Sequence, residues 1–168
     1  MDRDQLRAVQ APLKDEYRTT PGSAAITLHA AGDLGDGISC SVQTGRALVE
    51  AGLHPATGGD GSLACSGDML LQALVACAGV TMRSVATALG IEVTGTVRAE
   101  GDLDFRGTLA VDKEAPVGFT AIRLAFELDS DADEEQLATL LRLTERYCVV
   151  FQTLASPPPV RVVPSPAR

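Results

Sequence analysis

The chain contains no tryptophan, only two tyrosines and only four phenylalanines among its 168 residues. A core built from it must therefore be aliphatic, drawn from Leu, Val and Ala. Positive charge is also scarce: 14 Lys and Arg stand against 22 Asp and Glu, for a formal net charge of −8. No Lys/Arg run offsets that balance, which argues against nucleic acid or an anionic membrane as partner, since both attract basic surfaces. Histidine is limited to His29 and His54. There is no CxxC, HxxxH or HExxH pattern, and Cys40, His54 and Cys65 match no zinc module, so no metal or other cofactor is expected. A serine triad lacks its histidine, and no GxGxxG or P-loop is present. The longest apolar stretch, around Cys77, is bounded by Asp68 and Arg83, short of the roughly 20 residues of a membrane span. The first residues, MDRDQLRAVQAPLKDEY, are charged throughout and do not read as a secretory signal. Together these features predict a cytoplasmic protein, a setting in which four cysteines rarely form a structural disulfide framework.

What is present fits one globular domain spanning residues 1–168, with an N-terminal arm at 1–17 and a frayed tail at 164–168. Apolar residues make up 45% of the chain, enough for a core. The arm alternates charged and apolar positions, as a short helix or an extended segment would. Thr20-Pro21-Gly22 breaks it. Strands are predicted at 24–30 and 38–44 around a glycine-rich turn at 32–37, then a helical turn at 46–51 closed by Gly52. The loop LHPATGGDGSL at 53–63 carries three glycines, a proline and His54. It is either a plain connector or part of a site.

Ser66 suits a helix N-cap, and Asp68 places a carboxylate in the first turn, where the helix dipole favours it. Leu70, Leu71, Leu74, Val75, Ala78, Met82, Val85, Ala86 and Leu89 follow at helical spacing until Gly90. Apolar or small residues occupy nearly the whole circumference, which predicts a central helix buried on most sides. Strands are expected at 91–99 and 120–128, with a further short strand around 108–111. Asp133 can cap a second helix carrying Leu137, Leu140, Leu141 and Thr144 on one side. That helix runs into Tyr147 and Cys148, a last helical segment ends at Ser156, and Val160–Val163 reads as a final strand. The order of elements is that of an α+β domain.

Cys77 sits in the middle of the most hydrophobic helix, with Thr81 one turn later on the same face. It is either an inert buried thiol or a reactive one activated by a group from elsewhere in the fold, because mid-helix supplies no terminal field. Cys148 lies at the junction of two helical segments, directly after Glu145-Arg146-Tyr147. There it can gain a helix N-terminal field and the nearby cation of Arg146, or simply pack in the core. Cys40, in a strand, and Cys65, just before the helix, read as structural, and His29 as a strand residue.

The run Ser66-Gly67-Asp68-Met69-Leu70-Leu71-Gln72-Ala73-Leu74-Val75-Ala76-Cys77-Ala78-Gly79-Val80-Thr81 resembles the central-helix motif of the OsmC/Ohr family, S-P-x-E-L-L-L-A-A-L-A-x-C-x-x-x-T. Thr144-Glu145-Arg146-Tyr147-Cys148-Val149 resembles its second motif, Ala-Glu-x-x-Cys-Pro, with Val149 at the proline position. Order and spacing agree from about residue 60 to 163. The resemblance implies an OsmC-like α+β fold: an intertwined homodimer with central helices packed between sheets and two sites at the subunit interface. It also implies a thiol-dependent peroxidase acting in oxidative-stress defence. Cys77 would attack a hydroperoxide and become a sulfenic acid, Cys148 would resolve it as a disulfide, and a dithiol such as a lipoyl protein would reduce the pair. The family's activating arginine is best matched by Arg18, with Arg46 behind it. Its helix-start glutamate position falls on Gly67, leaving Asp68 as the available carboxylate. No GGRxG hairpin is present. An OsmC-like redox sensor or a small-molecule-binding protein, with the His54 loop as a lid, is the alternative.

Overall fold

Residues 2–20, 32–34, 39–43, 48–110 and 112–164 are described by the structure, a computed structural model. Helix α1 spans Arg3–Thr19 and packs against the central helix, so the predicted arm is helical. Asp2 accepts from the Gln5 N–H at 2.8 Å while the Gln5 side chain accepts from the Asp2 N–H, a reciprocal cap at its start.

Strands β1 (Gly32–Leu34), β2 (Ser39–Gln43), β3 (Leu48–Gly52) and β4 (Ala64–Cys65) form one sheet in that order. β1–β2 and β2–β3 are antiparallel, whereas β3–β4 is parallel. Two expectations are corrected here. Gly32–Leu34 is a strand paired with β2, not part of the turn. Residues 48–52 also form a strand, not a helical turn, because a lone turn fixes several dihedrals for one hydrogen bond. The edge of β2 offers five paired positions instead. The predicted strand at 24–30, which includes His29, lies outside the described residues.

β4 leads directly into α2 (Ser66–Leu89). Cys65, not Ser66, is its N-cap, and no side chain caps it. Gly90 ends the helix as expected: its φ of 73° is left-handed, and its N–H reaches the carbonyls of Ala86 and Thr87. Within one chain α2 is not buried on most sides. Only the stripe Leu74, Ala78, Met82 and Ala86, four residues apart, is buried, while Ala73, Ala76 and Val80 form an exposed face. The expectation that its apolar stretch is too short for a membrane also needs correction, since by length and composition this 24-residue helix suffices. Its packing against α4, α5 and β5 is a second reason for the same composition.

β5 (Thr94–Asp102) and β6 (Ala121–Asp129) form an antiparallel pair with Thr94 opposite Asp129 and Asp102 opposite Ala121. Both begin later than predicted. On β6 the half-buried residues Ile122, Leu124, Phe126 and Leu128 alternate with exposed ones. Gly95 is required where it stands: its φ is 136°, and a Cβ there would strike the Glu127 carbonyl on the paired strand. The exposed face carries the cross-strand pairs Arg98–Glu127 at 2.7 Å and Arg123–Asp102 at 2.5 Å.

Between these strands the expected short strand is absent among the described residues. Phe105–Thr108 instead forms a helical turn, α3, because the Asp104 carboxylate accepts the Arg106 N–H at 3.0 Å. Helix α4 (Glu134–Tyr147) starts with a full capping box between Asp133 and Gln136. Its Leu140 and Thr144 are buried, and Leu140 joins Met82, Ala86 and Val93 in the core. Helix α5 (Val149–Ala155) follows, with Ser156 as its C-cap. The expected final strand does not form: Val160, Val162 and Val163 are 83–93% exposed and belong to no strand.

Candidate functional site

Cys77 lies one position before Ala78 of the buried stripe, so it sits at the flank of that stripe and is half-buried. Thr81, four residues on, is stacked above it on the same side of α2. Across from this flank pass α4 and α5. Cys148 joins those two helices. Its extended backbone (φ −74°, ψ 108°) is at once the C-cap of α4 and the N-cap of α5, and its side chain is fully buried. Its own N–H donates to the Thr144 carbonyl and its carbonyl accepts from the Gln152 N–H, both at 2.9 Å.

Because Cys148 gives no side-chain cap, the first N–H groups of α5 have no acceptor within the helix. Those of Val149 and Val150 lower the Cys77 thiol, those of Phe151 and Val150 lower the Cys148 thiol, and each thiol shifts the other.

The two thiols are driven apart electrostatically. Burial pushes the Cys77 thiol up. The Val150 N–H, the Cys148 thiol, the Val149 N–H and the Thr81 hydroxyl together outweigh burial, and Cys77 ends below the ordinary thiol range. At Cys148 burial also pushes up, and the N–H of Phe151 does not offset it. The negative charge favoured on Cys77 adds to the upward shift. Cys77 is thus the sulfur disposed to be a thiolate, and Cys148 the one disposed to keep its proton. The dominant donors at Cys77 are all neutral. These backbone groups are what the sequence reading missed. It assigned the α5 field to Cys148, which precedes that helix, although the field also reaches Cys77 across the α2–α5 contact.

The remaining expected residues are placed elsewhere. Asp68 is exposed in the first turn of α2, nine residues before Cys77 and so roughly 13 Å of helical rise away; the two do not meet within one chain. Arg18 belongs to the last turn of α1, and its side chain lies outside the described residues, as does Arg46. Cys40 sits in β2 between Leu34 and Ala51. Arg146 stacks over the Tyr147 ring at 5.7 Å rather than turning to Cys148. His54 does not join the thiols. It caps the 3₁₀ turn Pro55–Thr57 through Nδ1, which accepts the Ala56 N–H at 3.1 Å, and its ring stacks on Phe105 at 5.1 Å. Together with Cys65 it lines a separate cavity of about 380 Å³ at the start of α2. Its loop is therefore structured and locally tied down.

A second cavity of about 380 Å³ has walls that include Leu74, Phe119, Ile122, Leu124 and Phe151. Leu74 is one helical turn before Cys77 and Phe151 stands in the first turn of α5, so this apolar space adjoins the elements that carry the two thiols. Among the described residues no group of three or more His, Cys, Asp or Glu side chains is placed to hold a metal.

Fold and site define an α+β domain with a half-buried cysteine on its central helix and a buried one at the junction of two helices that pack on it. The model of the OsmC-like protein family matches residues 59–163, and the chain belongs to that family. Solved structures agree on the fold. An OsmC-like protein from Mycoplasma pneumoniae superposes with a TM-score of 0.66 at 16% identity, covering 79% of this chain and 89% of that one. An OsmC-like protein of unknown function from Vibrio cholerae gives 0.59 at 14% identity, with 77% and 94% covered. The organic hydroperoxide resistance protein OsmC from Legionella pneumophila gives 0.57 at 15% identity, with 78% and 90% covered. No curated protein matches the chain.

Proposed function

We propose that the protein is a thiol-dependent peroxidase for organic hydroperoxides, with Cys77 as the peroxidatic and Cys148 as the resolving cysteine. The observation that carries this reading is that Cys77 on α2 and Cys148, at the junction of the two helices that pack on α2, influence each other, the first lowered and the second raised in pKa. A thiolate is the nucleophile that O–O cleavage needs, and a protonated neighbour is a proton source beside it.

The Cys77 thiolate attacks the distal peroxide oxygen. The O–O bond breaks, Cys77 becomes a sulfenic acid, and the alkoxide takes a proton to leave as an alcohol. The Cys148 sulfur then attacks the sulfenic sulfur, forming a disulfide and releasing water. A dithiol of the lipoyl type reduces the disulfide by exchange and is itself oxidised. The cavity walled by Leu74 and Phe151 suits an apolar peroxide better than hydrogen peroxide.

The working form in this reading is a homodimer in the cytoplasm. The exposed Val80 and the uncovered Val160, Val162 and Val163 support a second copy covering α2 and pairing with the C-terminal segment. Arg18 and Asp68 then act across that interface, since Asp68 does not reach Cys77 of its own chain. The test is consumption of cumene hydroperoxide with dihydrolipoamide as reductant. Turnover by the wild type and its loss in Cys77→Ser are expected; no wild-type turnover, or an unaffected Cys77→Ser variant, overturns the reading.

A further inference from the structure

Between α4 and α5 the chain turns at a single residue. Cys148 is extended there, and it serves as the C-cap of one helix and the N-cap of the next. Its N–H still reaches the Thr144 carbonyl at 2.9 Å, so the helical ladder of α4 runs up to the cysteine and stops. The carbonyls of Glu145, Arg146 and Tyr147 lie in the last turn, where a helix leaves its acceptors unfilled. Among the described residues no backbone donor outside α4 reaches them. One side chain does. The Gln152 amide nitrogen donates to the Glu145 carbonyl at 2.8 Å, and only the nitrogen end of an amide can donate to a carbonyl oxygen. The backbone N–H of the same residue donates to the Cys148 carbonyl at 2.9 Å. Gln152 thus grips the chain three residues before Cys148 and again at Cys148 itself.

We propose that Gln152 is a positioning residue for Cys148: its side chain clasps the elbow between α4 and α5 and holds the buried thiol where it can close on Cys77. A cysteine side chain has one heavy-atom torsion with three staggered choices, so its backbone decides where the sulfur sits. At the elbow that backbone has the fewest helical bonds to fix it. The Cys148 thiol is fully buried and Gln152 is exposed, so the clasp works from outside the site and touches no reacting atom. The role in disulfide closure rests on the peroxidase reading; the clasp itself does not.

The experiment compares wild type with Gln152→Ala, Gln152→Glu and Gln152→Lys as full chains. Alanine favours the helix and removes the donor. Ionised glutamate keeps the shape and offers only acceptors, whereas lysine restores a donor. With no peroxide present, N-ethylmaleimide labelling of Cys148 in native buffer, located by peptide mass spectrometry, reports local opening of the elbow. Labelling should be about threefold to tenfold faster in the alanine and glutamate variants, the range one net hydrogen bond supports, and near wild type with lysine. With one equivalent of cumene hydroperoxide, rapid-quench intact mass follows the loss of two hydrogens, and dimedone traps the sulfenic acid. Sulfenic acid should form at the wild-type rate in every variant. Closure should slow by about the same threefold to tenfold in the alanine and glutamate variants and recover with lysine. Cys148 labelling unmoved in Gln152→Ala, or raised equally in Gln152→Lys, overturns the proposal, as does closure at the wild-type rate in Gln152→Ala. A wild type that never loses two hydrogens while the labelling contrast holds removes the peroxidase reading and leaves the clasp standing.

Discussion

Cys148, at the junction of α4 and α5, and Cys77, on the helix α2 against which both pack, shift each other in opposite senses: Cys77 leans toward thiolate and Cys148 toward thiol. The asymmetry arises because the N–H groups of Val149 and Val150, the Cys148 thiol and the Thr81 hydroxyl outweigh burial at Cys77, whereas burial prevails at Cys148, the more deeply buried of the two.

The sign of the pH dependence follows. A depressed Cys77 keeps its thiolate at pH values where an ordinary cysteine is protonated, and loses reactivity as pH falls through that depressed value. Cys148, raised, stays protonated until more alkaline pH. Labelling at neutral pH should therefore modify Cys77 well before Cys148. In Cys148→Ala the donor is gone and the Cys77 midpoint should rise; an unchanged pH profile would show that Cys148 contributes nothing to it.

The proposed roles of Cys77 and Cys148 also predict the product of oxidation. One equivalent of hydroperoxide should remove two hydrogens from the intact mass as Cys77 and Cys148 join, whereas Cys148→Ser should accumulate a Cys77 sulfenic acid that dimedone traps. Scattered addition of oxygen to the wild type, without loss of two hydrogens, would rule out the pair as a working unit.

Fold stability depends on the α2–α4 contact. Leu140 is fully buried against Met82 and Ala86, so Leu140→Ala should cost about 2–5 kcal/mol. Loss of the capping box in Asp133→Ala should cost about 0.5–2 kcal/mol. Urea denaturation measures both, and a cap variant that loses more than the core variant would contradict the assignment of the core.

Val80 is 73% exposed on a face of α2 that also carries the exposed Ala73 and Ala76. If a second copy covers that face, Val80→Glu should shift the protein toward monomer in sedimentation velocity, with the helical circular dichroism of one chain retained. A monomeric wild type at tens of micromolar would remove the dimer from the proposed function.

Much was legible in the chain itself. The apolar repeat from Leu70 to Leu89, the stop at Gly90 and the cap at Asp133 are local signals, set by helical spacing and by which residues satisfy free backbone groups. They were enough to place α2 and α4, and the two cysteine motifs were enough to point to Cys77 and Cys148. The strand at Leu48–Gly52 was not legible, because its conformation comes from pairing with β2 rather than from its own composition. For the same reason Val160–Val163, strand-like in composition, forms no strand and pairs with none among the described residues.

What the amino-acid order determined by itself was the two long helices α2 and α4, since periodicity and capping act over a few residues, together with Cys77 and Cys148 as candidates. Tertiary structure alone decided how those sulfurs are tuned. Val149 and Val150, whose N–H groups lower the Cys77 thiol, are 72 and 73 residues from it in the chain, and only the packing of α5 on α2 brings the two helices together.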